Sequence, residues 1–176
     1  ADGYHTVALK SNGTLWAWGC NWYGQVGDGT TNNKSSPVLI TTVVLITTVE
    51  TNCETNWVSI AAGEGHTVAL KSDGTLWAWG ENYVGQVGDA TTTPVRWSRV
   101  RIGTDGNWVS IAAGRLHTIA LKSDGTLWAW GYNYDGQLGL GDTDSRSSPV
   151  QVGSDKNWVS IATAIVMGEE HTVALK

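Results

Sequence analysis

Four histidines recur at one position of a repeating pattern in this chain, and they are the residues best equipped for chemistry. His5, His66, His117 and His171 each open a His-Thr-[Val/Ile]-Ala-Leu-Lys segment. Imidazole titrates near neutrality, so a histidine can carry protons, and converging imidazoles can hold zinc. A metal site would need the histidines to converge from separate repeats, and a cysteine or carboxylate keeping step with them would strengthen it. The two preceding positions hold Gly3-Tyr4, Glu64-Gly65, Arg115-Leu116 and Glu169-Glu170, so no such partner recurs. A residue found at the same place in every copy fits a framework role, in which the ring hydrogen-bonds a loop. The four histidines are therefore expected to be structural, with no metal bound.

The remaining reactive groups form no site. Cys20 and Cys53 are the two cysteines, without C-x-x-C spacing. They make neither a disulfide framework nor a zinc site, although one bridge between them stays open. Asp142 and Asp144, in Gly-Asp-Thr-Asp-Ser, lack the sharp-turn glycine and terminal glutamate of a calcium loop, and read as a solvated turn. No serine sits in a nucleophile elbow and no glycine-rich segment matches a phosphate loop. The expectation is a protein that is not an enzyme and takes no cofactor.

The elements that hold these residues follow from self-similarity. Leu9–Gly19 reads LKSNGTLWAWG, and LKSDGTLWAWG recurs at Leu70–Gly80 and Leu121–Gly131. Asn-Trp-Val-Ser-Ile-Ala stands upstream at Asn56, Asn107 and Asn157, and Asn-x-x-Gly-Gln-[Val/Leu]-Gly downstream at Asn21, Asn82 and Asn133. The histidines are 61, 51 and 54 residues apart. The first interval carries an insert in which VLITTV occurs twice, and the last carries an extra Thr163–Met167 segment. HTVALK and LWAWG alternate with a period of two around Asn-Gly or Asp-Gly, a hairpin signal whose two turn positions are expected to take positive φ. WVSIA is a third strand. Segments opening at Pro37, Pro94 and Pro149 make a fourth, at an edge where proline is tolerated.

In LWAWG the Leu and Ala point one way and the two Trp the other, and both sets are apolar. Trp16 with Trp18, Trp77 with Trp79 and Trp128 with Trp130 are therefore expected in the core, large rings meeting small alanines between stacked sheets. The fold class is all-β: a β-propeller of four-stranded blades with about three repeats present. The array is read as one domain over 1–176, with units near 1–55, 56–106, 107–156 and an incomplete 157–176.

These motifs taken together, G-x-x-H-T-x-A-L-K, D-G-T-L-W-A-W-G, N-x-x-G-Q-L-G and W-V-S-I-A-A-G, cover nearly the whole chain. They resemble the regulator of chromosome condensation repeat family, its bacterial branch especially. The resemblance implies blades of a propeller that usually has seven, and recognition of macromolecules through loops on a propeller face. Roles in that family include nucleotide exchange on a small GTPase, ultraviolet sensing and β-lactamase inhibition. The ultraviolet-sensing motif has Trp just before the histidine; this chain lacks it.

Charge narrows the partners. Lysine and arginine number 11 against 16 acidic residues, a net −5, and the cations are scattered singly. Direct nucleic-acid binding and a lipid-headgroup role are disfavoured, since both need clustered cations. No apolar run reaches the roughly 18 residues that span a bilayer. Positions that vary inside the repeat are the candidate contacts. One set precedes the histidines: Tyr4, Glu64 and Arg115, with Glu169. The other follows Trp-Gly: Trp22, Tyr23, Glu81, Tyr83, Tyr132, Tyr134 and Asp135. Tyr, Trp and Arg are enriched in binding hot spots. The expected function is non-catalytic protein–protein recognition through these loops, with a carbohydrate-binding propeller or a GTPase exchange factor as alternatives. Low lysine content with many Asn and Thr favours an extracellular or cell-surface bacterial setting. Three blades would leave apolar faces and strand edges bare, so self-association to complete a ring, or membership of a longer chain, is expected.

Overall fold

The computed structural model describes residues 4–41, 55–166 and 169–176. It contains thirteen strands: β1 (His5–Leu9), β2 (Leu15–Gly19), β3 (Lys34–Leu39), β4 (Trp57–Ala62), β5 (His66–Lys71), β6 (Leu76–Glu81), β7 (Val95–Arg101), β8 (Trp108–Ala113), β9 (His117–Lys122), β10 (Leu127–Gly131), β11 (Arg146–Gln151), β12 (Ser160–Val166) and β13 (Glu169–Leu175). No helix occurs among the described residues. Two four-stranded antiparallel sheets, β4-β5-β6-β7 and β8-β9-β10-β11, are the complete blades. Sheet β1-β2-β3 precedes them and the pair β12-β13 follows. The extra segment at Thr163 lengthens β12 to Val166. Most of the VLITTV insert, and with it Cys53 and the question of a bridge to Cys20, lies outside the described residues.

Each blade runs in the order WVSIA, HT-strand, LWAWG, Pro-Val strand, so the prolines fall on or just before the outermost strand, where no ladder bond is lost. The hairpin turns depart from the expected form. Only the glycine takes positive φ, at Gly13 (76°), Gly74 (75°) and Gly125 (77°). Gly74 N donates to Lys71 O at 3.0 Å while Lys71 N donates to Thr75 O at 3.1 Å. This is a three-residue loop, a type I turn closed by a bulge glycine, rather than a two-residue turn. The residue before the glycine serves as an acceptor instead. Asp73 Oδ1 takes the Thr75 amide at 3.0 Å and its hydroxyl at 2.7 Å. Thr75 Oγ1 in turn accepts the Trp77 indole N–H at 3.1 Å. Asp124 and Asn12 repeat the arrangement.

The core lies between blades. Trp130 of one blade is packed with Val68, Leu76 and Ala78 of the preceding one, and Trp79 likewise with Leu15, Ala17 and Val26. In the two complete blades the second Trp of the motif is the deeper: Trp79 and Trp130 are fully buried, while Trp77 and Trp128 are half-buried, as are both Trp16 and Trp18 of the first sheet. A glycine makes the fit possible. Gly88 has φ of 87°, and a Cβ there would stand 2.4 Å from Trp130 Nε1; Gly27 holds the same place over Trp79.

Candidate functional site

The strand directions put two kinds of loop at the same end of every blade. His66 pairs with Gly80, and His117 with Gly131, so the segment before each histidine lies beside the segment after each Trp-Gly. Backbone bonds join them: Cys20 N to Tyr4 O, Glu81 N to Gly65 O and Tyr132 N to Leu116 O, at 2.8 to 2.9 Å. The two candidate contact sets, separate in sequence, form one loop end. The Asp-Gly turns occupy the opposite end.

The loops are held by the buried Asn and Gln of N-x-x-G-Q. Asn82 Oδ1 accepts the Val87 amide at 3.0 Å, and its Nδ2 donates to Thr91 O at 3.1 Å. Gln86 Oε1 accepts the Val84 amide at 3.1 Å. Asn21 and Asn133 repeat the first pattern, Gln25 and Gln137 the second. Sequence reasoning noted this motif but assigned it no role; its exact recurrence was the available signal.

The same loops clasp the next blade. Gln25 O accepts Trp79 Nε1 and Thr67 Oγ1, both at 2.9 Å. The Thr67 hydroxyl, having donated, accepts from His5 Nε2 at 2.8 Å, which assigns the proton to Nε2. Gln86 O, Trp130, Thr118 and His66 repeat the set, and Gln137 O, Thr172 and His117 its hydroxyl half. His5, His66 and His117 are almost or fully enclosed. Burial holds the His5 pKa down to about 4. Burial, then His117 and His5, holds that of His66 to about 3. His171 differs: it is exposed, and the described residues contain no threonine of a following strand to cover it.

What faces outward is aromatic and acidic. Tyr4 is 74% exposed, Trp22 70%, Tyr83 55% and Tyr134 68%, large values for aromatic rings. Tyr23 and Tyr132 are half-buried. Tyr23 meets Tyr83 edge to face across a unit boundary, ring centroids 6.2 Å apart, and Tyr132 meets Tyr134 at 5.0 Å. Arg115 pairs with Glu64 across the next boundary. A methyl group on Gly65 would stand 2.4 Å from Glu81 Oε2 and 3.2 Å from the Tyr23 ring, so carboxylate and ring both lie over that glycine. Partial burial, then Glu64, pushes the Glu81 pKa up, with Arg115 opposing. Glu81 is the leading cause that raises the Tyr23 pKa. Asp135 is exposed beside Tyr134 in sequence. Asp142 pairs with Arg146 at 2.6 Å and its carbonyl receives Asn133 Nδ2 at 2.9 Å, the solvated turn expected. No group of three His, Cys, Asp or Glu suited to a metal occurs among the described residues.

Cations at the loop end are paired: Lys34 with Asp28, Arg96 with Asp89, Arg115 with Glu64 and Arg146 with Asp142. Lysines at the opposite end lie over tryptophan rings. Lys122 Nζ is 3.9 Å from the Trp128 centroid and 4.7 Å from that of Trp108, and Lys10, Lys71 and Lys176 are placed similarly. Trp97, on the outermost strand β7, is 58% exposed and was not singled out by its sequence context.

Known proteins match this arrangement. The regulator of chromosome condensation (RCC1) repeat matches residues 12–70, 73–121 and 124–175. Each of these segments begins at a hairpin turn and so straddles two blades. The ultraviolet-B receptor UVR8 of Arabidopsis thaliana is 33% identical over 148 residues, 81% of this chain and 31% of the receptor. Human protein RCC2 is 33% identical over 136 residues, 77% of this chain and 24% of that protein. Among solved structures, Prp20p of Saccharomyces cerevisiae superposes with a TM-score of 0.77 at 24% identity, covering 99% of this chain and 42% of that one. Human WBSCR16 gives 0.64 at 17% identity, covering 99% and 58%. The chain thus spans under a third of the length of UVR8 and RCC2. With the repeat matched along most of its residues and the blades superposing on a known propeller, the chain belongs to the RCC1 repeat family.

Proposed function

We propose that this chain is a non-catalytic protein-recognition module whose contact surface is the loop end. One observation carries the reading: Trp22, Tyr83 and Tyr134 are largely exposed on loops that buried Asn and Gln side chains hold in place, and Tyr4 is exposed on the segment bonded beside the first of them. Rigid exposed rings bring large contact area at little entropic cost, the character of a binding hot spot. The histidines best placed for proton transfer are enclosed in blade-to-blade hydrogen bonds, which supports a role without catalysis. Structures of relatives lend support by analogy: Prp20p is described with its binding properties to Gsp1p and histones, and yeast RCC1 bound to Kap60.

The test replaces Tyr83, Tyr132 and Tyr134 together by Ala. Capture of protein partners is expected to be lost, while the melting temperature stays within a few degrees. Unfolding of the triple variant would make these rings part of the blade framework. Glycan-array binding that depends on the same three rings would move the reading to a sugar-binding propeller.

A further inference from the structure

The two ends of the blades differ in charge. At the loop end the four cations are matched one to one by carboxylates. Glu81, Asp135 and Asp144 lie there too, and none of the three has an ion pair among the described residues. At the turn end the balance reverses. Lys10, Lys71, Lys122 and Lys176 share that end with Lys156 and Arg101, against Asp73, Asp105, Asp124 and Asp155. Among the described residues charge is therefore unevenly spread, and the surplus of acid sits at the loop end among exposed rings.

Glu81 shows what such a place would take. Its carboxylate is half-buried over Gly65, between the edge of Tyr23 and the Glu64–Arg115 pair. Arg115 is committed to Glu64 and relieves Glu81 only in part. A cation arriving beside Glu81 would meet a carboxylate that Arg115 compensates only in part, next to the Tyr23–Tyr83 ring pair, and an aromatic ring attracts a cation through its face. One unit further along the array, Tyr134 and Asp135 are neighbours in sequence and both exposed, so a ring and a carboxylate stand together there as well. An acidic segment would be repelled, and a purely apolar one would leave the half-buried carboxylate without a partner.

We infer that the partner presents a basic segment, with Lys or Arg side chains spaced to meet Glu81 between Tyr23 and Tyr83 and Asp135 beside Tyr134. This rests on the loop end being the contact surface. It adds the charge of the partner, which the exposed rings alone do not specify.

Synthetic peptides of equal length, alternating Gly-Arg, Gly-Ser or Gly-Glu, test it by calorimetry and amide chemical-shift mapping on the intact chain. The Gly-Arg peptide is expected to bind, shifting the amides of Tyr23, Glu81, Tyr83 and Tyr134, and to weaken as salt rises from about 50 to about 300 mM. Glu81→Gln is expected to weaken it roughly threefold, the effect of removing one partly exposed charge partner. Asp73→Asn removes the same charge at the turn end and should change nothing. That control keeps its fold, because Asn12 already makes the same turn hydrogen bonds in the first unit. Equal response to Glu81→Gln and Asp73→Asn, or shifts confined to the turn end, would overturn the inference. Binding of the Gly-Ser or Gly-Glu peptide at the loop amides would overturn the charge preference and leave the contact surface standing. Silence from all three peptides overturns the charge preference as well, and the tyrosine-to-alanine capture experiment then decides the contact surface separately.

Discussion

The hydroxyl of Thr67 shows how little freedom single residues have here. It donates to Gln25 O and accepts from His5, joining two blades through one oxygen. The histidine must stay neutral to keep its enclosed place, and this makes stability depend on pH. Both His5 and His66 have folded pKa values far below the ordinary 6.5. Above 6.5 neither state binds the proton. As pH falls below 6.5 the unfolded chain takes up protons that the folded chain refuses until about 4 at His5 and about 3 at His66, so stability falls across that window. At about 1.4 kcal/mol per unit, His5 alone withdraws on the order of 3 kcal/mol by pH 4. Urea midpoints are expected to stay level from pH 7.5 to about 6.5 and then to fall steadily towards pH 4, with His5→Gln giving a flatter slope. A midpoint independent of pH would remove the histidines from the enclosed positions described.

Among the elements, the loops between LWAWG and the Pro-Val strands do two jobs. Their buried Asn and Gln fix the loop, and their glycines let the backbone lie against the next blade's indole. Gly88→Ala places a methyl 2.4 Å from Trp130 Nε1 on a backbone already at φ of 87°. Gly29→Ala meets no atom within 4 Å at φ of 79°. Both incur the left-handed strain of about 1 kcal/mol. Gly88→Ala also forces the indole aside and is expected to cost about 2 to 4 kcal/mol in all. Thermal melts of the two variants check the difference; equal losses would mean the glycines serve φ alone.

At the scale of the molecule, β1 packs on β4, β4 and β5 on β8, and β12 on β8 and β9, so among the described residues stability is distributed over the interfaces between successive blades. The clasp at Thr118 joins the second blade to the third through His66 and Gln86 O. Thr118→Val keeps the shape and leaves His66 Nε2 and Gln86 O each short of one partner, at about 1 to 3 kcal/mol apiece. The expected outcome is a loss of cooperativity: hydrogen exchange in β4–β7 and β8–β11, coupled in the wild type, should separate. A single two-state transition in the variant would show that other contacts hold these blades together.

Strand type, blade composition and the identity of the repeat were legible in the chain itself. Alternation in HTVALK and LWAWG, prolines at the outer strand and four-strand units are local patterns, and local patterns survive without knowledge of the neighbours. The hairpin form was misjudged because Asp-Gly alone does not set loop length; the bonds of Lys71 with Gly74 and Thr75 do. Which of two adjacent tryptophans is deeper was also out of reach. Trp77 and Trp79 share a strand face, and only the carbonyl of Gln25, in the preceding unit, draws Trp79 fully inside. The varying positions Tyr4, Glu64, Tyr83 and Asp135 could be picked out one by one from the sequence. That Glu64 and Glu81 flank one aromatic patch, and that among the described residues acids are in surplus at the loop end and cations at the turn end, depended on antiparallel pairing. Pairing brings the segment before each histidine beside the segment after each Trp-Gly, and no spacing along a single strand records which ends of different strands will meet.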